Sequence, residues 1–231
     1  MARLAIIPAR GGSKRIPHKN IKPFLGKPII AYSIETALQS GCFSEVMVST
    51  DDPAIAEVAR QYGASVPRLR SARSSDDHAT ISDVMLEVLA DYDAAQRSFD
   101  YFCCLFATAP FVRPAQLRSA LEQLRGGDFA TIVSVQQYHF PILRSLRLDA
   151  AGHLQLNWPE HAKTRSQDLP PAYHDAGQFY WARTADYRHE KRFYSSRAGH
   201  FLLQDFEAHD IDTPEDWRMA ELKYQILQQH G

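Results

Sequence analysis

The fold follows from one stretch of the sequence, Leu4-Ala-Ile-Ile-Pro-Ala-Arg-Gly-Gly-Ser-Lys-Arg-Ile-Pro-His-Lys-Asn-Ile-Lys-Pro-Phe-Leu-Gly-Lys-Pro28. Its first four residues are apolar and predict a buried strand. The strand runs directly into a loop that contains Gly11, Gly12 and Ser13 and is rich in cations. Glycines let backbone N–H groups turn towards an anion, and lysine or arginine neutralises its charge. The stretch therefore predicts a strand that ends in a phosphate-binding loop.

Two widespread phosphate-binding patterns do not describe this loop. The Walker pattern requires a glycine, four residues and then Gly-Lys-Ser or Gly-Lys-Thr, whereas Gly26-Lys27 is followed by Pro28. The dinucleotide pattern Gly-x-Gly-x-x-Gly is absent from the sequence. The loop therefore belongs to a different class of phosphate site.

The string Ala9-Arg-Gly-Gly-Ser-Lys-x-x-Pro-x-Lys-Asn20, followed by Lys22-Pro-x-x-Gly-Lys-Pro28, resembles the signature loop of sugar nucleotidyltransferases. Among these it is most similar to the cytidylyltransferases that activate nine-carbon 2-keto acids, the CMP-sialate synthetase family. The resemblance implies a loop that binds the triphosphate of CTP. It assigns nucleotide binding to Ala9, Arg10, Gly11, Gly12, Ser13 and Asn20, and catalysis to Arg10, Lys14 and Lys19.

Apolar and amphipathic segments alternate along the first 135 residues. Strands are predicted at 45–50, 101–106 and 129–135, an extended piece at 64–69, and helices at 28–38, 53–62, 81–95 and 114–124. Such alternation is typical of an α/β fold with a parallel sheet. Together with the resemblance, it predicts a Rossmann-like nucleotidyltransferase sheet, mostly parallel, within three layers.

The pattern changes between residues 136 and 200. Residues 144–148 and 153–156 flank Asp149-Ala-Ala-Gly152 and predict a hairpin, and further short strands are predicted at 177–182 and 200–204. We interpret 136–200 as an antiparallel excursion from one nucleotidyltransferase domain that spans residues 1–231. The excursion is expected to cover the sugar site and, because members of the family are dimers, to contribute to a homodimer.

Composition excludes several classes of function. The net charge of −1 and the pI near 6.8 provide no global field for nucleic acid or anionic lipid, so neither partner is expected. Three cysteines cannot form a disulfide framework, which favours a reducing cytoplasm. Neither a signal peptide nor a membrane span is expected, and the ten histidines show no zinc-binding spacing.

A pair of carboxylates near the C-terminus indicates a metal site. In an extended segment Asp210 and Asp212 project to the same side, because side chains alternate with period two. Mg²⁺ binds one or two carboxylates and completes its shell with water and phosphate oxygens. Alternatively, Asp212 with Thr213 caps the last helix. The family resemblance, in which Asp-Ile-Asp precedes the last helix, assigns Mg²⁺ or Mn²⁺ to this pair.

Ligands of an open parallel sheet bind at the carboxyl ends of its strands. The loop at 10–20 and the polar segment at 70–80 both follow predicted extended segments. By resemblance, Arg70 and Thr80 lie around the cytidine. An equally good explanation of Arg70 and Arg73 is solvated surface charge.

The residues expected around the sugar are less polar than in sialate synthetases. Those enzymes carry Gln-Pro-Thr-Ser-Pro-Leu-Arg after the central strand, whereas this chain has Phe106-Ala-Thr-Ala-Pro-Phe-Val-Arg113, and their Asn-Gly turn is replaced by His174-Asp-Ala-Gly-Gln178. These substitutions resemble the pseudaminic acid branch of the family, whose substrate carries a methyl and two acylamino groups. Core packing is the alternative explanation for the aromatic residues. The residues assigned to the sugar are Phe106, Thr108, Arg165, Tyr173, Asp175 and Gln178.

The leading hypothesis is transfer of CMP from CTP to the anomeric hydroxyl of an acidic nine-carbon sugar, first of all pseudaminic acid, with release of pyrophosphate. N-acetylneuraminate or legionaminate is the alternative sugar. A glycosyltransferase would share the sheet, but its Asp-x-Asp motif is expected after a central strand, where this chain has Ala107-Thr-Ala-Pro110. A third hypothesis, a non-catalytic nucleotide-binding relative, is disfavoured by the intact lysines and aspartates.

Overall fold

A six-stranded sheet forms the centre of the chain in the computed structural model, which describes residues 1–71, 74 and 79–230. The order across this sheet is β10-β6-β9-β5-β1-β4, and β2 pairs with β3 and β7 with β8 in two separate hairpins. Five strands of the central sheet run in one direction and β9 runs in the other, so the predicted, mostly parallel sheet is confirmed. The strands are β1 (Arg3–Pro8), β2 (Pro23–Phe24), β3 (Lys27–Pro28), β4 (Glu45–Ser49), β5 (Tyr101–Leu105), β6 (Thr131–Gln137), β7 (Leu146–Leu148), β8 (Leu154–Leu156), β9 (Tyr173–Arg183) and β10 (Ala198–Leu202).

Helices cover both faces of the central sheet. They are α1 (Ile29–Ser40), α2 (Pro53–Gln61), α3 (Ile81–Ala94), α4 (Pro114–Gly126), α5 (Thr184–Glu190) and α6 (Pro214–His230). One face packs against α1, α2 and α4, and the other packs against α3 and α5. Side chains alternate along β1 accordingly: Ala5 and Ile7 face the first layer of helices, whereas Leu4 and Ile6 face the second. The predicted three-layer arrangement is confirmed.

Local signals fix the start of α2 where the sequence predicts it. Asp52 caps the helix, because its Oδ1 accepts a hydrogen bond from the backbone N–H of Ala54 at 2.8 Å. The extended piece predicted at 64–69 makes an isolated parallel bridge, from Ser65 to Met47, and adds no strand to the sheet. The segment before the polar loop is therefore fixed by a single bridge rather than by a full strand pair.

The strand β9 departs most from the sequence analysis. The prediction places a short strand at 177–182 within the antiparallel excursion, whereas the structure extends it to Tyr173–Arg183 and inserts it between β5 and β6. A register shift opposite Val133 and Val135 and the left-handed Gly177, at φ 61°, interrupt the pairing. This interruption divides the hydrophobic pattern of β9, so the sequence indicates a shorter element. The β7–β8 hairpin does leave the sheet, as predicted.

A third cluster of apolar side chains joins α6 to the loop that follows β1. Ile16 of this loop is buried in the same cluster as Trp217 of α6. Phe24 lies at the centre of an aromatic group, with its ring centroid 5.5 Å from Tyr32, 5.6 Å from Trp217 and 5.7 Å from Tyr224. The cationic loop is therefore held against α6 as well as against the sheet.

The cysteines Cys42, Cys103 and Cys104 are free and buried, and the last two lie in the centre of β5. No helix among the residues that the structure describes is long and apolar enough to cross a membrane. Arg73, considered above as a surface charge, lies outside the described residues.

Candidate active site

A cavity of about 530 Å³ opens at the carboxyl ends of β1 and β5. The parallel direction of these strands brings the loops that follow them to one edge of the sheet. A cavity of this volume is within the usual range for small-molecule sites, which is roughly 300–1,000 Å³. Its charge selects an anionic ligand. The cationic side chains that line it are Arg10, Lys14, Arg15, Lys19 and Arg70.

The backbone of the glycine loop is held by side chains on its inner side. Gly11 donates its N–H to Asp51 Oδ1 at 2.9 Å, and Asn20 Nδ2 donates to the carbonyl oxygen of Arg10 at 2.9 Å. The N–H of Ser13 donates to the carbonyl oxygen of Gly11 at 2.9 Å. Asn20 and Ser13 also line the cavity, so residues predicted to contact the nucleotide shape the loop at the same time.

Asp212 faces the cations of this loop. Its carboxylate oxygens lie 2.8 Å from Arg15 Nη2 and 3.4 Å from Lys19 Nζ. Lys19 Nζ also donates to the carbonyl oxygen of Ile211 at 2.7 Å. The sequence places the acidic and basic members of this group almost two hundred residues apart, and the docking of α6 on the loop brings them together.

The hydrogen bonds at the start of α6 leave the Asp212 carboxylate out of the helix cap. Thr213 Oγ1 accepts the N–H of Asp216 at 3.2 Å, and Asp216 Oδ2 accepts the N–H of Thr213 at 2.7 Å. This reciprocal pair is a complete capping box. Of the alternative that Asp212 and Thr213 cap the helix, the Thr213 part is thus correct, whereas the Asp212 carboxylate takes no part in the cap and lines the cavity.

Asp210 lies beside the interruption of β9, where a Cβ added at Gly177 would be 3.8 Å from Asp210 Oδ1. Burial, reinforced by the nearby Asp212 carboxylate, raises the pKa of Asp210. A divalent cation would relieve this unfavourable charge, and carboxylate oxygens are ligands that Mg²⁺ prefers. Within the described residues no group of three or more His, Cys, Asp or Glu side chains is placed to hold a metal ion. The two aspartates fit a metal that takes its remaining ligands from the substrate.

Arg70 forms the wall of the cavity next to β4. Its guanidinium donates to Ser49 Oγ at 3.1 Å, to the carbonyl oxygen of Ser49, and to the carbonyl oxygen of Ser74 at 3.4 Å. Burial lowers the pKa of Arg70. Arg70 is thus a half-buried wall residue and not a solvated surface charge. Thr80 lines the cavity at the start of α3, where its Oγ1 accepts the N–H of Asp83 at 3.2 Å.

Phe106 and Thr108 line the same cavity on the side of β5. The ring of Phe106 meets that of Tyr180 edge to face, with centroids 5.2 Å apart. Asp175 accepts hydrogen bonds from the hydroxyl groups of Tyr180 and Tyr194, the second at 2.7 Å. Burial and the Asp175 carboxylate raise the pKa of Tyr180, so this side chain stays a neutral phenol. The aromatic side chains therefore form a wall whose polar groups are already paired.

Four residues predicted to bind the sugar do not line the cavity, and one of them is Asp175, which pairs with the two tyrosines. Arg165 is exposed in the segment between β8 and β9, and its Nε lies 2.6 Å from Asp168 Oδ2. Tyr173 is exposed at the start of β9. Gln178 is fully buried, and its Nε2 donates to the carbonyl oxygen of Ala176 at 2.8 Å. A single chain therefore assembles the phosphate side of the site more completely than the sugar side.

Several cavity residues carry no signal in the sequence. Arg15 is one of the four cations of the loop at 10–19, and nothing in the sequence singles it out, yet it pairs with Asp212. Ser74 lines the cavity, although it stands in a polar run that resembles any surface loop. Outside the cavity, the Tyr194 hydroxyl donates to Asp175, which lies 19 residues before it, and this contact also has no signal in the sequence.

The five cations can hold a nucleoside triphosphate and neutralise pyrophosphate as it departs, and the two carboxylates can hold the metal that such a reaction uses. These are the requirements of a nucleotidyltransferase, and the fold and the site define that class of protein.

Comparison with known proteins narrows the class. A family model described as cytidylyltransferase matches residues 4–229, and the chain belongs to this family. It is 40% identical over 226 residues to the pseudaminic acid cytidylyltransferase of Campylobacter jejuni subsp. jejuni serotype O:2, covering 98% of this chain and 97% of that protein. It is 37% identical over 236 residues to the CMP-N,N'-diacetyllegionaminic acid synthase of Legionella pneumophila subsp. pneumophila, covering 99% of each.

A solved structure shares the fold. This structure is a CMP:2-keto-3-deoxy-manno-octonic acid synthetase complexed with CTP, which aligns with a TM-score of 0.70 at 19% identity, over 99% of this chain and 100% of that chain. At this identity the likeness shows the fold alone. The predicted Rossmann-like nucleotidyltransferase fold is thereby confirmed.

Proposed function

We propose that this chain transfers CMP from CTP to the anomeric hydroxyl of a nonulosonic acid, pseudaminic acid in the first place, and releases pyrophosphate. The hydroxyl oxygen attacks the α-phosphorus of CTP, the bond from that phosphorus to the bridging oxygen breaks, and the hydroxyl proton is lost. The observation that carries the proposal is the single cavity in which five cations adjoin the aromatic side chain of Phe106. The 40% identity to a pseudaminic acid cytidylyltransferase supports it.

The phosphate side of the cavity performs most of the catalysis. Phosphoryl transfer requires little covalent help but much positioning and charge neutralisation. Arg10, Lys14 and Lys19 bind the triphosphate and neutralise the departing pyrophosphate, and Gly11 and Gly12, which have no Cβ, let the phosphates approach the loop closely. Arg15, which pairs with Asp212, adds charge to the same wall. The cytidine lies towards Asn20, Arg70 and Thr80.

Asp210 and Asp212 are the residues that would hold Mg²⁺ or Mn²⁺. Such an ion, when bound, supplies positive charge to phosphate oxygens and lowers the pKa of a hydroxyl group that it contacts. Burial, followed by the neighbouring Asp212 carboxylate, raises the pKa of Asp210, and a bound cation would relieve both effects. Lys19 and Arg15 hold the Asp212 side chain at the wall of the cavity. From there its carboxylate can reach a metal ion bound to the triphosphate.

The identity of the sugar follows from the wall beyond the phosphates. Phe106, which packs against the buried ring of Tyr180, offers aromatic surface to a methyl or acetyl group. A polar sugar group that faced Phe106 would lose its hydrogen bonds to water, at a cost of about 1–3 kcal/mol. Thr108 is the polar group beside Phe106 in the cavity, and Arg165, Tyr173, Asp175 and Gln178 stay assigned to the sugar by prediction. N-acetylneuraminate and legionaminate are the alternative sugars.

The decisive experiment is pyrophosphate release from each of the four common ribonucleoside triphosphates with a panel of sugar acids. The panel contains pseudaminate, legionaminate, N-acetylneuraminate and 3-deoxy-manno-octulosonate. We expect CTP to be preferred, and kcat/KM for pseudaminate to exceed that for N-acetylneuraminate by at least about tenfold. Equal or better use of N-acetylneuraminate would place the chain in another branch of the family. No release with CTP and any of the sugars would refute the transferase function and favour a binding protein or a glycosyltransferase.

The proposed dimer contact is the arm, which comprises residues 136–172 and includes the β7–β8 hairpin. Its exposed apolar side chains include Phe140, 86% exposed, and Leu148 and Leu154 of the hairpin. A two-stranded hairpin is marginally stable by itself, and apolar surface of this kind marks an interaction site. A homodimer would also bring Arg165 towards the sugar site of the partner. Light scattering at micromolar concentration that gives the mass of a monomer would refute this assembly.

A cytoplasmic location is proposed because the three cysteines are free and buried. The activated sugar would then serve a glycosyltransferase that builds a surface glycan or glycosylates flagellin. Maleimide labelling after denaturation tests the redox state: purified native protein from cells should contain three free thiols. Labelling of fewer than three would contradict a reducing compartment.

A further inference from the structure

The carboxylate of Glu87 lies behind the wall of the nucleotide cavity and not in it. Glu87 belongs to the second turn of α3, and its side chain is 9% exposed. It lines a separate cavity of about 190 Å³ between β4 and α3. Arg70 lines both cavities and lies between them. No step of the proposed reaction uses Glu87.

The Glu87 carboxylate accepts four hydrogen bonds from Arg68, Ser71 and Ser74. Its Oε1 accepts the backbone N–H of Ser71 at 3.0 Å and Arg68 Nη2 at 3.2 Å. Its Oε2 accepts the hydroxyl of Ser71 at 2.7 Å and the hydroxyl of Ser74. An ionised carboxylate has about four lone-pair sites, and these four bonds use them all. Burial alone would raise the pKa of Glu87, but the bonds from Ser74 and Ser71 outweigh it and lower the pKa.

These bonds connect Glu87 to the groups that line the nucleotide cavity. The backbone carbonyl of Ser74 accepts Arg70 Nη1 at 3.4 Å, while the Ser74 hydroxyl is turned to Glu87. Both Arg70 and Ser74 line the nucleotide cavity. Arg70 is also tied to β4 and the residue after it, by its N–H bond to the Thr50 carbonyl at 2.7 Å and by its guanidinium bonds to Ser49. The position of the cavity wall therefore depends on a carboxylate outside the cavity.

We infer that Glu87 is a positioning residue for CTP: it fixes Ser71 and Ser74, and through them it sets the place of Arg70 in the nucleotide site. The inference rests on the proposed function, because it takes CTP as the ligand of this wall. A positioning residue of this kind acts on nucleotide binding and leaves the chemistry of the bound complex nearly unchanged.

The test compares Glu87→Gln with Asp91→Asn. Glutamine keeps one acceptor oxygen, and its NH₂ group can only donate to the serine hydroxyls, so the charge-assisted bonds that the Glu87 carboxylate accepts from them are lost. Asp91 also lines the small cavity and, like Glu87, pairs with Arg68, in its case at 2.5 Å. Unlike Glu87, it makes no bond to Ser71 or Ser74. It therefore controls for loss of the Arg68 pair alone. The measurements are KM for CTP, KM for the sugar, kcat, and the Kd of CTP by calorimetry.

For Glu87→Gln we expect a rise of about tenfold in KM and Kd for CTP, corresponding to about 1.4 kcal/mol, with kcat and the KM for the sugar changed less than about threefold. Asp91→Asn should leave all four values within about twofold of the wild type. A KM for CTP unchanged in Glu87→Gln, or raised equally in Asp91→Asn, would overturn the inference. If the wild type turns over no CTP, the proposed function fails instead.

Ser74→Ala provides a second route, also if Glu87→Gln does not fold. The variant removes the bond to Glu87 and leaves the backbone carbonyl that holds Arg70. Alone it should raise the KM for CTP several-fold, and combined with Glu87→Gln it should add less than the product of the two single effects. A KM for CTP that Ser74→Ala does not change, or two effects that multiply fully, would also overturn the inference.

Discussion

Replacing Gly11 with alanine is expected to displace the phosphate loop, because this glycine is required by a close approach and not by its backbone angle. Gly11 does not belong to the glycines with a positive φ. A Cβ built on it would lie 2.8 Å from Asp52 Oδ2 and 2.9 Å from Asp52 Cβ. The second distance is about 0.6 Å short of the roughly 3.5 Å at which carbon atoms touch. Since Asp52 Cβ is fixed to the backbone at the start of α2, the loop has to move.

The magnitude follows from two opposing terms. Overpacking of this kind costs about 1–3 kcal/mol, and the lower entropy of the unfolded alanine chain returns about 0.4–1 kcal/mol. The expected loss of folding stability is thus about 1–2 kcal/mol, which for a chain of this size lowers Tm by about 2–8 °C. The displaced loop carries Arg10 and Lys14 with it. Because misplacement of about 1 Å can cost a factor of about 100, we expect kcat/KM for CTP to fall at least tenfold.

The assays are thermal unfolding and pyrophosphate release, with two further variants. Gly126→Ala, at the end of α4, is the control: a Cβ added there meets nothing within 4 Å, so the variant should leave kcat/KM unchanged and raise Tm rather than lower it. Asp52→Gly removes the obstructing Cβ and costs only a few tenths of a kcal/mol as a helix cap. The double variant Gly11→Ala/Asp52→Gly should therefore recover most of the lost activity. A double variant as impaired as Gly11→Ala alone would refute the close-approach reasoning.

Three further predictions concern the charges and the sugar wall. Lys14→Ala should lower kcat for pyrophosphate release by at least about 100-fold, since a charge-assisted contact strengthened in the transition state is worth about 3 kcal/mol; full activity would remove Lys14 from the site. Asp210→Asn should abolish activity yet raise the urea midpoint in EDTA at pH 7. The raised pKa of Asp210 means that its ionisation costs folding stability as the pH rises above about 4. The urea midpoints of the wild type and the variant should therefore become equal near pH 3. A variant that is less stable than the wild type at pH 7 would contradict this sign. Phe106→Gln should narrow the preference for pseudaminate over N-acetylneuraminate, measured as the ratio of kcat/KM values; an unchanged ratio would assign the preference to other residues.

The sequence by itself determined the elements and the kind of ligand. The apolar run at Leu4–Ile7 and the alternation that follows it predict a parallel sheet with helices on both faces, because burial and side-chain period are local properties of the chain. The glycine and lysine loop predicts an anion for the same reason. Asp52 shows that helix caps are also readable, since its bond to Ala54 spans two residues.

Contacts between residues that are far apart in the sequence depend on the tertiary structure. Asp212 meets Arg15 and Lys19 only because the aromatic cluster docks α6 on the loop. The strand β9 enters the centre of the sheet although Gly177 interrupts its pattern, because pairing with β5 and β6 satisfies both of its edges. Glu87 acquires its role from Ser71 and Ser74, which lie 16 and 13 residues before it. Such contacts depend on how elements pack, and packing is a property that no local window of sequence contains.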